Sequence, residues 1–187
     1  MSTTTRRMRS IPALFVAAWL LLLLLPVWAI VSGVIDALRG RWRLPTTRLL
    51  AFALCWSWLE TAGVVVSAWL WLTRRAWDRP AHYRLQRWWA ANLMRSLRVT
   101  TGIVVEATEA RCLTPGPAIM LCRHASLADS LLSAWVVTSV ARMNPRYVLK
   151  RELMLDPCLD IVGNRLPNHF LDREAADSSV ELAALRN

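Results

Sequence analysis

The sequence predicts an α/β fold, a mixed or mostly parallel sheet with its helices, carried behind an N-terminal pair of membrane helices. Three observations carry that expectation. Two long apolar runs fill most of residues 11–72. Beyond residue 101, short β-branched or apolar runs alternate with segments of helical spacing, which is the pattern of strand–helix units. The charge divides along the same line. Residues 1–105 hold 14 arginines against Asp36, Glu60 and Asp78, whereas residues 106–187 hold nine bases and ten acids.

The chain is 55% hydrophobic with a formal charge of +10 over 187 residues. A nucleic-acid-binding domain would carry its charge on the folded part, interleaved with exposed aromatics. Here the charge flanks apolar runs, so nucleic acid is set aside as a partner. The four cysteines, Cys55, Cys112, Cys122 and Cys158, show no CxxC spacing. They read as buried free thiols, and no clustered ligand set predicts a metal.

The first 78 residues form the anchor. After the basic start (Arg6, Arg7, Arg9), Ile11 to Gly33 runs 23 residues without a charge. That is long enough to cross a hydrocarbon core of about 30 Å, and too long for the apolar core of a signal peptide. Pro26 is the expected kink. A basic loop with Arg39, Arg41, Arg43 and Arg48 leads to a second run, Leu49 to Leu72, whose single charge is Glu60. An acid at that depth is either functional or satisfied by a polar neighbour, and the second reading is preferred. Two spans put both ends on one side. Eight arginines stand there (Arg6, Arg7, Arg9, Arg74, Arg75, Arg79, Arg84, Arg87) against four in the loop, which predicts a cytoplasmic-membrane protein whose domain faces the cytoplasm. Trp56, Trp58, Trp69, Trp71, Trp77, Trp88 and Trp89 cluster around these segments, where indoles suit the headgroup region.

Residues 79–100 read as a basic amphipathic helix. Leu85, Trp88, Trp89, Leu93 and Leu97 recur at helical spacing, with Arg84, Arg87, Arg95 and Arg98 beside or opposite them. The stripe suits either an interface with anionic lipid or packing on the domain.

Residues 101–187 form the folded part. Thr101-Gly102 ends the helix, and Ile103-Val104-Val105 is a short β-branched run. Thr114-Pro115-Gly116-Pro117 is a turn before a strand at Ala118–Cys122. A helix over 127–141 stops at Asn144-Pro145. Arg146–Leu149 is strand-like, Lys150–Leu155 a helical turn, Leu159–Val162 an apolar run turned by Gly163-Asn164, His169–Leu171 a strand, and Ala175–Leu185 a helix.

The chemistry concentrates at Arg123-His124-Ala125-Ser126-Leu127-Ala128-Asp129. A histidine removes a hydroxyl proton near neutral pH, and a carboxylate on its other nitrogen fixes the tautomer. On one continuous helix residues five apart diverge by about 140°. A His124 in the loop at the strand end instead allows Asp129, in the first helical turn, to fold back to it. Ser126-x-x-Asp129 also matches a capping box, so the same residues read equally as a helix start with a polar histidine beside it.

Two further segments follow, Tyr147-Val148-Leu149-Lys150-Arg151-Glu152-Leu153 and Asn168-His169-Phe170-Leu171-Asp172-Arg173. With these, residues 80–180 resemble the glycerolipid acyltransferase family, typified by 1-acylglycerol-3-phosphate acyltransferase. His124 and Asp129 match its His-x4-Asp block. Phe170 and Arg173 match the Phe and Arg of its Gly-x-x-Phe-x-x-Arg block, and Lys150, Glu152 and Leu153 its KxEL stretch. The resemblance implies an acyltransferase-type α/β domain with His124 as general base and Asp129 as its partner. It implies acceptor binding by Arg173, with Phe170, Ser126 and Lys150 at the substrate. No bound cofactor is expected. Acyl-CoA or an acyl-carrier protein would be the donor, a lysophospholipid the acceptor and membrane lipid the surroundings. Arg123 stands where asparagine is common. The third block, Glu-Gly-Thr-Arg, is absent, so the domain is expected to be incomplete. The alternative is a truncated, catalytically inactive membrane protein that binds lipid or a partner.

Overall fold

The computed structural model describes residues 2–108, 116–122 and 128–171. Of these, 71% are helical. Four helices form the front of the chain: α1 (Thr3–Leu23), α2 (Leu25–Leu38), α3 (Pro45–Leu72) and α4 (Arg79–Thr101). Behind them come α5 (Ala128–Trp135) with a π-helical turn (Val136–Val140), then β1 (Val148–Lys150), a 3₁₀ turn (Arg151–Leu155), α6 (Pro157–Arg165) and β2 (His169–Leu171).

The first apolar run is not one rod. α1 and α2 meet at Leu24 with a bend of 69°. Pro26, in the first turn of α2, explains it: its ring cannot continue the preceding turn and it has no N–H to give. The Trp28 indole bridges the bend by donating to the Leu21 carbonyl (2.7 Å). α3 is long and apolar enough to cross a membrane, with a mean hydropathy of 1.7. The bent pair makes a second such segment if it is counted as one broken span.

α3 starts without a cap of its own, because Leu44 precedes Pro45 in a left-handed conformation (φ 48°). The fully buried Asp36 of α2 supplies one instead. Its carboxylate accepts from the Thr46 and Thr47 amides (2.9 and 3.3 Å) and from the Thr46 hydroxyl (2.8 Å). An anion at a helix N-terminus meets both unsatisfied donors and the positive end of the dipole.

One side of α3 is buried through Glu60, Gly63, Val64, Ser67 and Leu70, against α1, α4 and α6. Its other side leaves Val65, Val66, Trp69 and Leu72 exposed. A helix apolar on both sides suits lipid on the outer one. Glu60 has the polar neighbours that were expected: its Oε1 accepts from the Trp56 and Trp89 indoles, both at 2.9 Å. Trp56 and Trp89 thus turn their polar edges inward, while Trp69, Trp71 and Trp77 remain exposed around the end of α3.

Asp78 caps α4 by accepting from the Ala81 amide (2.9 Å), and Gly102 ends it at φ 78°, a conformation that favours glycine. Leu85, Leu93 and Leu97 of the apolar stripe are buried in the protein, and Trp88 is exposed. The stripe therefore packs on the chain itself, which leaves the arginine-bearing side of α4 outward. Leu93, Met94 and Leu97 join Phe52 in a core against Leu131, Leu132 and Trp135.

The α/β expectation is corrected in extent. Among the described residues the sheet has two strands, β1 and β2, paired in parallel with Val148 opposite His169 and Lys150 opposite Leu171. α6 is their crossover, so one strand–helix–strand unit exists, and its pairing is parallel as expected. α6 itself replaces the expected turn: Gly163 and Asn164 continue the helix to Arg165. Residues 103–105 and 118–122 form no strand. Ile119 and Leu121 are each 92% exposed, and Cys122 is exposed where a buried thiol was expected. A strand's backbone groups need a neighbour to pair with, and none of the described residues supplies one. Cys55 is half-buried and Cys158 buried. Cys112 and the helix expected at 175–185 lie outside the described residues.

α6 locks the rear unit to the helices. Cys158 lies so close to α3 that a Cβ on Gly63 would fall 2.3 Å from its sulfur. Asp160, with no exposed side-chain surface, accepts from Arg6 (2.7 Å) and Arg7 (2.8 Å) of α1. Arg165 donates to the Ser67 carbonyl of α3 (3.0 Å). Val64, Leu85, Cys158, Ile161, Val162 and Leu166 close the core between them.

Candidate functional site

Asp129 lies in the first turn of α5, the position expected for it, and is half-buried. It lines a cleft of about 250 Å³ with Met120, Cys122, Leu132, Ser133 and Val136. Two segments build that cleft. Residues 129, 132, 133 and 136 recur at three- and four-residue steps, so they share one side of the helix. Met120 and Cys122, two residues apart in the segment before the helix, line the cleft, whereas Ile119 and Leu121, beside and between them, are each 92% exposed. The walls are mostly apolar, with one carboxylate, one hydroxyl and one thiol among them.

The strand pair is tied to α6 apart from this cleft. Tyr147 donates its amide to Asn168 Oδ1 (2.9 Å), and Asn168 Nδ2 donates to the Gly163 carbonyl of α6 (3.1 Å). Asn168 is thus the clasp between β1, β2 and α6. The Tyr147 hydroxyl is buried and finds no acceptor among the described residues. Burial pushes its pKa above the ordinary tyrosine value, with smaller contributions from Cys122 and Tyr83.

The predicted site residues are distributed as follows. Lys150 is exposed on β1, and Phe170 is half-buried on β2, so the two segments carrying them are paired neighbours. The Phe170 ring packs over Gly163, where a Cβ would meet it at 2.8 Å. Neither residue lines the Asp129 cleft. His124, Ser126 and Arg173 lie outside the described residues.

The structure also contains polar groups that sequence reasoning did not single out. Asp160 collects two arginines, and Cys158 sits beside the carboxyls of Glu60 and Asp156. Burial raises the Cys158 pKa first, and those carboxyls raise it further. The signal for Asp160 was present as an acid inside an apolar run, Leu159-Asp160-Ile161-Val162; its partners, some 150 residues away, carried none. Among the described residues no group of three or more His, Cys, Asp or Glu is placed to hold a metal ion.

No protein-family model matches the chain, nor does any curated protein or solved structure.

Proposed function

We propose that the chain is a membrane-bound O-acyltransferase that moves a fatty acyl group from an acyl thioester to the hydroxyl of a lysophospholipid such as 1-acylglycerol-3-phosphate. The observation that carries this reading is Asp129, standing in the first turn of α5 at a largely apolar cleft, five residues after His124. In the proposed reaction His124 accepts the acceptor's hydroxyl proton while that oxygen attacks the thioester carbonyl. The C–S bond then breaks, and the donor thiolate leaves and takes the proton back. Asp129 orients the imidazole and stabilises its cationic form. Arg173 binds the acceptor phosphate, as a guanidinium fork suits it to do, and Lys150, Ser126 and Phe170 complete the substrate contacts.

The proposed setting is the cytoplasmic membrane, with the domain on the cytoplasmic side. Supporting it are the apolar outer side of α3 and the arginine excess outside the α2–α3 loop. The Arg6 and Arg7 pairs with Asp160 hold the start of α1 against the rear unit, on one side with it.

A second reading is a catalytically inactive protein that binds lipid or a partner. It is favoured by the exposed 118–122 segment. Acyl transfer in membranes separates the two. A labelled acyl thioester with lysophosphatidate should yield diacyl product with the unaltered chain, none with His124→Ala, and roughly 10²-fold less or lower with Asp129→Asn. No product from the unaltered chain would leave the second reading.

A further inference from the structure

The outward side of α4 carries a second cleft, of about 400 Å³, that shares no residue with the Asp129 cleft. Arg79, Pro80, Tyr83, Arg84 and Arg87 line it from the helix, and Asn144 from the loop before β1. The helical residues fall at steps of one, three, one and three, which places them on one side of the helix. The Tyr83 hydroxyl donates to the Pro145 carbonyl (3.3 Å) and so fixes the loop wall against the helix.

Among the described residues no acid lines this cleft. The ion pairs among the described residues are Arg6 and Arg7 with Asp160 and Arg75 with Asp78, so Arg79, Arg84 and Arg87 form no ion pair there, and Asp78 acts on Arg84 only at longer range. The Arg87 Nε–H is buried and meets no acceptor among the described residues. Buried donors of this kind are rare because desolvation is costly, and an acceptor brought by a ligand would remove the cost. Three guanidinium groups and an amide around an open cleft match a phosphate, which accepts hydrogen bonds on several oxygens and carries the opposite charge.

Its place in the fold selects the source of that phosphate. Six residues separate the end of the apolar α3 from the start of α4, which turns back along α3 (Trp89 bonds Glu60), so the Arg79–Pro80 end of the cleft stands where a spanning α3 leaves the hydrocarbon and Arg87 lies further back along α3. Trp69, Trp71, Leu72 and Trp77 are all more than 60% exposed around that junction. Indoles beside arginines are the side-chain combination that suits the headgroup layer.

We propose that this cleft binds the headgroup phosphate of an anionic phospholipid of the surrounding bilayer, whose acyl chains lie along the exposed end of α3. The proposal rests on the membrane placement above and not on acyl transfer.

The test is native mass spectrometry of the full chain from detergent, titrated with phosphatidylglycerol or phosphatidylcholine. The unaltered chain is expected to retain phosphatidylglycerol preferentially. The double variant Arg84→Gln/Arg87→Gln should lose that retention by about 30-fold, while Arg95→Gln/Arg98→Gln, on the same helix outside the cleft, should stay within about threefold. Equal losses in the two double variants would mean diffuse surface charge and overturn the cleft. Arg87→Lys, which keeps the charge, should retain an intermediate share; retention equal to that of the unaltered chain would overturn the role of the Arg87 fork. Inorganic phosphate alone should not raise thermal stability as phosphatidylglycerol does, and equal stabilisation would overturn the lipid source. Alkaline extraction of cell membranes reads the placement separately. A chain that resists extraction but shows no cleft-dependent retention refutes the cleft alone, whereas a chain released by alkali refutes the membrane placement.

Discussion

The front helices and the rear strand–helix–strand unit solve the same problem in different ways. In α1 to α4 the backbone pairs within each helix, so an apolar run needs only a surface or lipid against its side chains. In the rear unit the backbone of each strand pairs with a distant segment. β1 has that partner in β2, 19 to 23 residues further on, and is ordered into a ladder. Residues 118–122 are as apolar as β1, have no strand beside them among the described residues, and leave Ile119 and Leu121 almost fully exposed. Apolar sequence is therefore sufficient for a helix and insufficient for a strand.

The two regions are joined at α6, and that joint is where the contrast is most readily broken. Among the described residues, Arg6→Ala/Arg7→Ala leaves the buried Asp160 carboxylate without a counter-charge, with only Asn164 still donating to its side chain (3.0 Å). We expect a loss of about 3–5 kcal/mol, read from denaturant unfolding in mixed micelles. A loss no larger than a surface pair's would mean that α1 does not hold the rear unit.

Gly63→Ala comes next. Its Cβ would stand 2.3 Å from the Cys158 sulfur, so α3 and α6 must separate, at a cost of about 1–3 kcal/mol. Cys158→Ala removes that sulfur and leaves the Cys158 Cβ at 3.6 Å, an ordinary contact. The double variant should therefore be more stable than Gly63→Ala alone, and simple additivity of the two losses would contradict the close approach.

A smaller effect is expected with pH at the α3–α4 junction. His82 has no exposed surface and hydrogen-bonds the Ala76 carbonyl through Nε2 (3.0 Å). Burial holds its pKa below the ordinary histidine value, against the pull of the Ala76 carbonyl; Arg165 lowers it further and Asp78 opposes. The unfolded chain then takes up a proton first. Stability is full above pH ~6.5 and falls as the pH drops from there towards the folded pKa. Denaturation midpoints at pH 7.5 and 5.5 should differ for the unaltered chain and converge in His82→Asn.

The smallest perturbation uses the thiols. In chains that keep one cysteine each, Cys122 should react with maleimide in the folded state and Cys158 only on unfolding. The first is exposed on the extended segment, and the second is buried at the joint. Slow labelling at Cys122 would mean that the 118–122 segment is covered.

Much of the front was legible in the sequence because its signals are local. Pro26 marked the bend, Leu49–Leu72 nearly matched α3, and Gly102 ended α4 where a glycine after a periodic run is expected to. Behind it, the parallel strands were legible as short apolar runs, and the helix start at Asp129 as a cap-like pattern. The strand expected at 118–122 failed because pairing is not encoded in the paired segment. α6 was missed because its apolar stretch is too short for periodicity to separate a helix from a strand.

The sequence by itself determined where most of the front helices begin and end and which runs are apolar enough for lipid. Propensity, caps and hydrophobic period act over a few neighbouring residues. Tertiary structure alone decided that the α4 stripe faces inward, that Asp36 caps a helix other than its own, and that Arg6 and Arg7 close on Asp160. Each of these depends on groups brought together by chain folding, and contact energies between residues so far apart leave no periodic trace in either segment.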